Sequence, residues 1–113
     1  MCSRDPVLIF RNRDVRRVIA GIPRGHAHLR VVIETEQGTF VFQEATVAAL
    51  VRAYVSVKTH PSRRAIELRR VFLEDERRKR GYAEFQLLES DKPENKVLED
   101  LERILESASA PDA

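Results

Sequence analysis

The segment 26–45 constrains the fold more than any other part of this chain. Ala27, Leu29, Val31 and Ile33 alternate with His26, His28, Arg30, Val32 and Glu34, and a period of two is the signature of a strand with one covered face. Gln37-Gly38 follows as a two-residue turn, since glycine adopts positive φ freely. Reversal there predicts that Glu36 pairs with Thr39, Thr35 with Phe40 and Ile33 with Phe42. Phe40 and Phe42 then share a face with Val31 and Ile33. Turn chemistry and hydrophobic pattern agree, so a β-hairpin is expected.

The other elements are read outward from this hairpin. The continuous apolar run in 6–12 reads as a strand covered on both faces. Asn12 or Asp14 is placed to cap a short helix through Val15, Val18 and Ile19, stopped at 21–25 by glycine and proline. After the hairpin, Thr46 opens a helix with Val47, Leu50, Val51, Tyr54 and Val57 on one face. Thr59-His60-Pro61 breaks it. The segment 61–80 fits two templates. As a helix it groups Ala65, Leu68 and Phe72 and stops at Gly81; as a strand it leaves Arg70 on the apolar face. The helix is therefore favoured. A strand over 82–89 follows, with Ala83, Phe85 and Leu87 inward. Asp91 and Glu94 form a capping-box pattern ahead of a last helix striped by Val97, Leu98, Leu101, Ile104 and Leu105.

These readings give the order β-α-β-β-α-α-β-α. The expected class is α+β: a small antiparallel or mixed sheet of about four strands, with helices packed mainly on one face. A ferredoxin-like topology is compatible with that order, although the first helix is short for a crossover. At 113 residues the chain is read as a single domain, 1–113, ending in a disordered tail over 107–113. The expected core contains Ile9, Leu29, Val31, Ile33, Phe42, Leu50, Tyr54, Phe72, Phe85 and Leu101.

No apolar run approaches the ~20 residues that span a bilayer, and the four apolar residues 7–10 are too few for a signal-peptide core. A cytoplasmic location without membrane contact is therefore expected. The single Cys2 has no internal disulfide partner, in keeping with a reducing compartment. Asn and Gln number only five and charged residues reach 34%, both trends of proteins from hot environments. Sixteen arginines against four lysines also fit a GC-rich genome.

The net charge of +2 hides segregation. Residues 1–33 carry +5, 34–57 carry −2, 58–80 carry +5 and 81–113 carry −6. Two arginine groups stand out as nucleic-acid-binding candidates: Arg11, Arg13, Arg16 and Arg17, joined by Arg24, and the run Arg77, Arg78, Lys79 and Arg80 with Tyr82 beside it. Arginine forks a phosphate with two hydrogen bonds and an aromatic ring stacks a base. On a helix, however, Arg63, Glu67, Arg70, Glu74 and Arg78 form a ladder that neutralises itself. The sequence 80–83 matches the start of the RNA-recognition aromatic motif, but Glu84 stands where an aromatic is required.

His26 and His28, two apart on a strand, face the same way and are weak candidates for a shared metal, with a third ligand needed from His60 or a carboxylate. No catalytic motif is found: serines lie at loops or termini, and Gly21 and Gly25 lack the Lys and Ser/Thr of a phosphate loop. No cofactor is implied. Two functional readings follow. The first is a small non-enzymatic intracellular interaction module that self-associates as a dimer, its acidic and basic segments pairing, through a seam of Leu98, Leu101, Leu105 and Ala108 on the last helix set against the arginine-rich 63–80. The second is a protein that binds RNA or DNA through arginine contacts to the phosphate backbone.

Overall fold

The hairpin forms, with its turn one residue earlier than glycine alone suggests. The computed structural model describes residues 6–72 and 85–108. In it β2 (Arg30–Thr35) and β3 (Gly38–Gln43) reverse through Glu36-Gln37, and Ile33 lies opposite Phe40, Val31 opposite Phe42. Thr35 decides this. Its hydroxyl accepts the Gln37 N–H at 3.0 Å and donates to the Gly38 carbonyl at 2.9 Å. At 2% exposure its hydroxyl is closed to water, so these two bonds hold the turn. Gly38 supplies the positive φ, +135°. Relative to the expected pairing, the register slides by two residues. A slide of two keeps every side chain on its own face, so Phe40 and Phe42 do share a face with Ile33 and Val31.

Upstream, the expected strand over 6–12 and helix over 15–19 are both replaced. Residues 6–11 carry no regular structure, and Asn12–Asp14 make one 3-10 turn. Asp14 reaches back to accept the Arg11 N–H at 2.9 Å, while its carbonyl accepts the Glu36 N–H at 3.0 Å. That second bond aligns the following residues with the hairpin. β1 (Val15–Gly21) pairs antiparallel with β2, with a bulge between Val15 and Arg17. Three apolar residues at 15, 18 and 19 do not distinguish a helix from a strand; an adjacent edge with free backbone groups does. The result is a three-stranded sheet in the order β1-β2-β3.

α1 (Glu44–Lys58) follows β3 directly. Thr59 closes its end, donating backbone N–H and hydroxyl to the Val55 carbonyl at 3.0 and 2.6 Å. The helix packs on β2 and β3 and also on β5 of a second sheet, where Arg52 donates to the Leu87 carbonyl at 2.8 Å.

The second sheet overturns the helical reading of 61–80 over its described part, 61–72; residues 73–80 lie outside the described residues. β4 (Leu68–Phe72) pairs antiparallel with β5 (Phe85–Glu89), and 63–67 carry no regular structure. Arg70 does share a face with Phe72, but both are exposed. The guanidinium lies 5.6 Å from the ring centroid, a contact that satisfies the charge without burial. The described members of the arginine–glutamate ladder pair elsewhere: Arg63 with Glu89, and Glu67 with Lys92.

α2 (Glu94–Ala108) ends the described chain. Glu94 does not reach back to Asp91 as a capping box requires. It accepts the backbone N–H groups of Arg64 and Ala65 at 2.5 and 3.1 Å, tying the helix start to the loop before β4. The class is thus α+β, built among the described residues on two small antiparallel sheets and two helices rather than one sheet of four strands.

Burial differs most from expectation. Ala49, Ala65 and Val97 are the buried apolar residues among those described. Leu29, Val31, Ile33 and Phe42 are half-buried, whereas Ile9, Leu50, Tyr54, Phe72 and Leu101 are exposed. The Phe85 side chain lies outside the described set.

Candidate functional site

α1 carries only three charged residues, Glu44, Arg52 and Lys58, in fifteen positions. A helix this apolar on all sides belongs in an interior. It has instead one packed side, centred on small residues. Thr46, Ala53 and Ser56 are half-buried around the buried Ala49, with Val47 and Val57 half-buried at its margins. The opposite side carries the bulk: Leu50 is 56% exposed, Val51 56%, Tyr54 66% and Val55 46%. Spacings of one, three and four residues put these on one stripe.

α2 repeats the arrangement at its far end. Val97 is buried and Leu98 half-buried, but Leu101, Ile104 and Leu105, one to two turns on, are exposed. The three-stranded sheet adds Val18, Ile19 and Val41. Ile19 and Val41 flank Val32 on the face opposite Phe40. On the Phe40 face, the Phe10 ring meets Phe40 edge-on at 5.4 Å between centroids.

The junction of the 60–67 loop with β5 and α2 is polar and internally paired. It encloses a cavity of about 250 Å³ bordered by His60, Arg63, Glu67, Glu89, Lys92 and Glu94. Arg63 pairs with Glu89. Lys92 bridges Asp100 at 2.7 Å and Glu67 at 3.5 Å, and Arg103 holds Asp100 at 2.8 Å. The hydrogen bonds from Lys92 and Arg103 keep the Asp100 carboxyl below its ordinary range, and Asp100 in turn raises Lys92. The Ser90 hydroxyl, then Lys92, lowers Glu67. The N–H groups of Arg64 and Ala65 lower Glu94. His60 Nδ1 lies 3.4 Å from the Ser62 N–H and 3.5 Å from its hydroxyl, closing the turn at Pro61 rather than activating a nucleophile, for which about 2.6–3.2 Å is needed. The cluster fastens α2 to the β4 loop.

The arginine candidates are placed as follows. Arg17 makes a two-pronged pair with Glu34 at 3.0 and 2.8 Å, raising its own pKa and lowering that of Glu34. Arg16 donates to the Thr35 carbonyl at 3.0 Å and lies 3.8 Å from Glu36. Arg11 lies 3.7 Å from Asp14, and Arg13 is exposed in the 3-10 turn. Arg77, Arg78, Lys79, Arg80 and Tyr82 lie outside the described residues. His26 and His28 precede β2 instead of alternating along it, and His28 Nδ1 is 3.8 Å from Glu44. Among the described residues no three His, Cys, Asp or Glu side chains are grouped to hold a metal ion, and no helix is long and apolar enough to cross a membrane.

Comparison of the chain with protein-family models, with curated proteins and with solved structures finds no match in any of the three. The functional reading therefore rests on the surface itself. The outward stripe of α1 was partly legible in sequence as an apolar helical face; its direction was not, because the small face of the same helix is equally able to pack.

Proposed function

We propose that this chain is a small non-enzymatic intracellular interaction module that works by associating with itself. The observation that supports it is α1, which packs around the buried Ala49 and leaves Leu50, Val51, Tyr54 and Val55 exposed to water. Four such side chains at roughly half exposure leave an apolar patch of several hundred Å², the size at which patches on soluble proteins mark contact sites. The exposed end of the α2 stripe adds to the same need for cover.

The nucleic-acid reading has less behind it. Arg16 and Arg17 face Glu36 and Glu34, so a phosphate must displace a carboxylate already in place.

The two readings respond to salt in opposite ways. Apolar association holds or strengthens as salt rises, whereas phosphate contacts weaken steeply. Sedimentation velocity over a dilution series, at about 50 mM and 500 mM salt, is expected to show a concentration-dependent oligomer at both. A single monomer boundary at every concentration would remove the proposal.

A further inference from the structure

The exposed stripe of α1 carries one charge at each end. Counting 100° per residue, Glu44 and Lys58 lie on the same side as Leu50, Val51, Tyr54 and Val55. Glu44 is in the first turn and Lys58 in the last. Glu44 keeps half of its side chain exposed while accepting the Leu29 N–H, and Lys58 is exposed. The face is therefore apolar along its middle, negative at the start and positive at the finish.

Such a face is complementary to itself in one direction only. Side by side in parallel, two copies set Glu44 against Glu44 and Lys58 against Lys58. Run antiparallel, each Glu44 meets the Lys58 of the other copy, twice by symmetry, and the helix dipoles also oppose. The residue midway between 44 and 58 is Val51, itself on the exposed stripe. A two-fold axis that pairs the charges must therefore pass beside Val51. The far end of α2 is a poorer occupant, because Glu102 and Glu106 flank its stripe.

We propose that α1 of one copy packs antiparallel against α1 of a second copy, across a two-fold axis at Val51, with Glu44 of each facing Lys58 of the other. This rests on the self-association reading and specifies its surface. The patch is small for a specific interface, so dimerisation is read at high protein concentration, about 100 µM.

The test uses the full chain with Cys2→Ser and a single new cysteine. Val51→Cys sits on the axis, where two Cβ atoms come within disulfide reach. Under mild oxidation it is expected to form a covalent dimer readily, and Leu105→Cys, an equally exposed site on α2, far more slowly. Separately, Lys58→Glu is expected to raise the dimer dissociation constant roughly tenfold through like charges at both ends, and adding Glu44→Lys to recover most of that loss. Glu44→Lys also removes the acceptor of the Leu29 N–H, so far-ultraviolet circular dichroism of each variant checks that the fold is kept. A dimer by light scattering in which Leu105→Cys crosslinks faster than Val51→Cys, or in which the double charge reversal is weaker than Lys58→Glu alone, overturns the α1 contact and leaves self-association standing. A monomer at about 100 µM overturns both.

Discussion

Thr35 shows how one hydroxyl sets a register. Without its bonds to Gln37 and Gly38, the turn has no reason to sit at Glu36-Gln37 rather than one residue on. Thr35→Val keeps the shape and removes both bonds while the Gln37 N–H and Gly38 carbonyl remain. The expected loss is about 1–3 kcal/mol of unfolding free energy in a urea titration. A change under ~0.3 kcal/mol would show that backbone pairing alone fixes the turn. The facing pattern of the hairpin was legible because alternation survives a slide of two. The register was not, because Gly38 draws attention as a turn former while the side chain that closes the turn lies three residues earlier. Arg70 teaches the reverse lesson: a charge on an apolar face was read as a defect, yet an exposed two-stranded sheet lets it rest on Phe72.

At the scale of elements, two of the four expected helices were legible, while 15–19 falls in β1 and 68–72 forms β4; the partners of the two helices were not legible. α1 and α2 occupy the segments their apolar stripes and breakers indicate. What the stripes do not give is the side that packs, since α1 offers both a bulky and a small face. Nor does sequence separation reveal that Glu94 serves Arg64 and Ala65 instead of its own helix start. Val97 marks where α2 does pack, so Val97→Ala is expected to cost about 1–3 kcal/mol.

The carboxylates at this junction also make a pH prediction. Glu67, Glu94 and Asp100 have folded pKa values below their ordinary 4.5, 4.5 and 3.8, and Glu34 below 4.5. A depressed carboxyl stabilises the fold above its unfolded value, and that contribution is lost as pH falls through the folded value. Lys92, raised above 10.5, acts oppositely: its contribution is complete below that value and lost above it. The melting temperature is thus expected to be level between these limits and to fall on acidification below pH 4.5. Asp100→Asn is expected to shrink the acid-side fall. A melting temperature that rises on acidification through that range would contradict the pairing.

For the whole molecule, the arrangement is one of elements waiting for cover. α1 contacts both sheets, yet Leu50, Val51, Tyr54 and Val55 on it remain exposed. With so few buried apolar residues among those described, the fold gains little from its own interior, so much of its stability is expected to depend on concentration, as it does when folding and association are linked. Leu50→Ala should lower the melting temperature by several degrees at about 100 µM protein and by much less at about 1 µM, since only the associated form buries that side chain. An equal effect at both concentrations would place Leu50 in the protomer's own core.

The most direct test of self-association is molar mass by light scattering at about 100 µM, for the natural chain and for Leu50→Glu/Tyr54→Glu. The expected result is twice the 13.0 kDa of one chain for the first and a folded species of 13.0 kDa for the second. A natural chain that runs at 13.0 kDa would contradict the account.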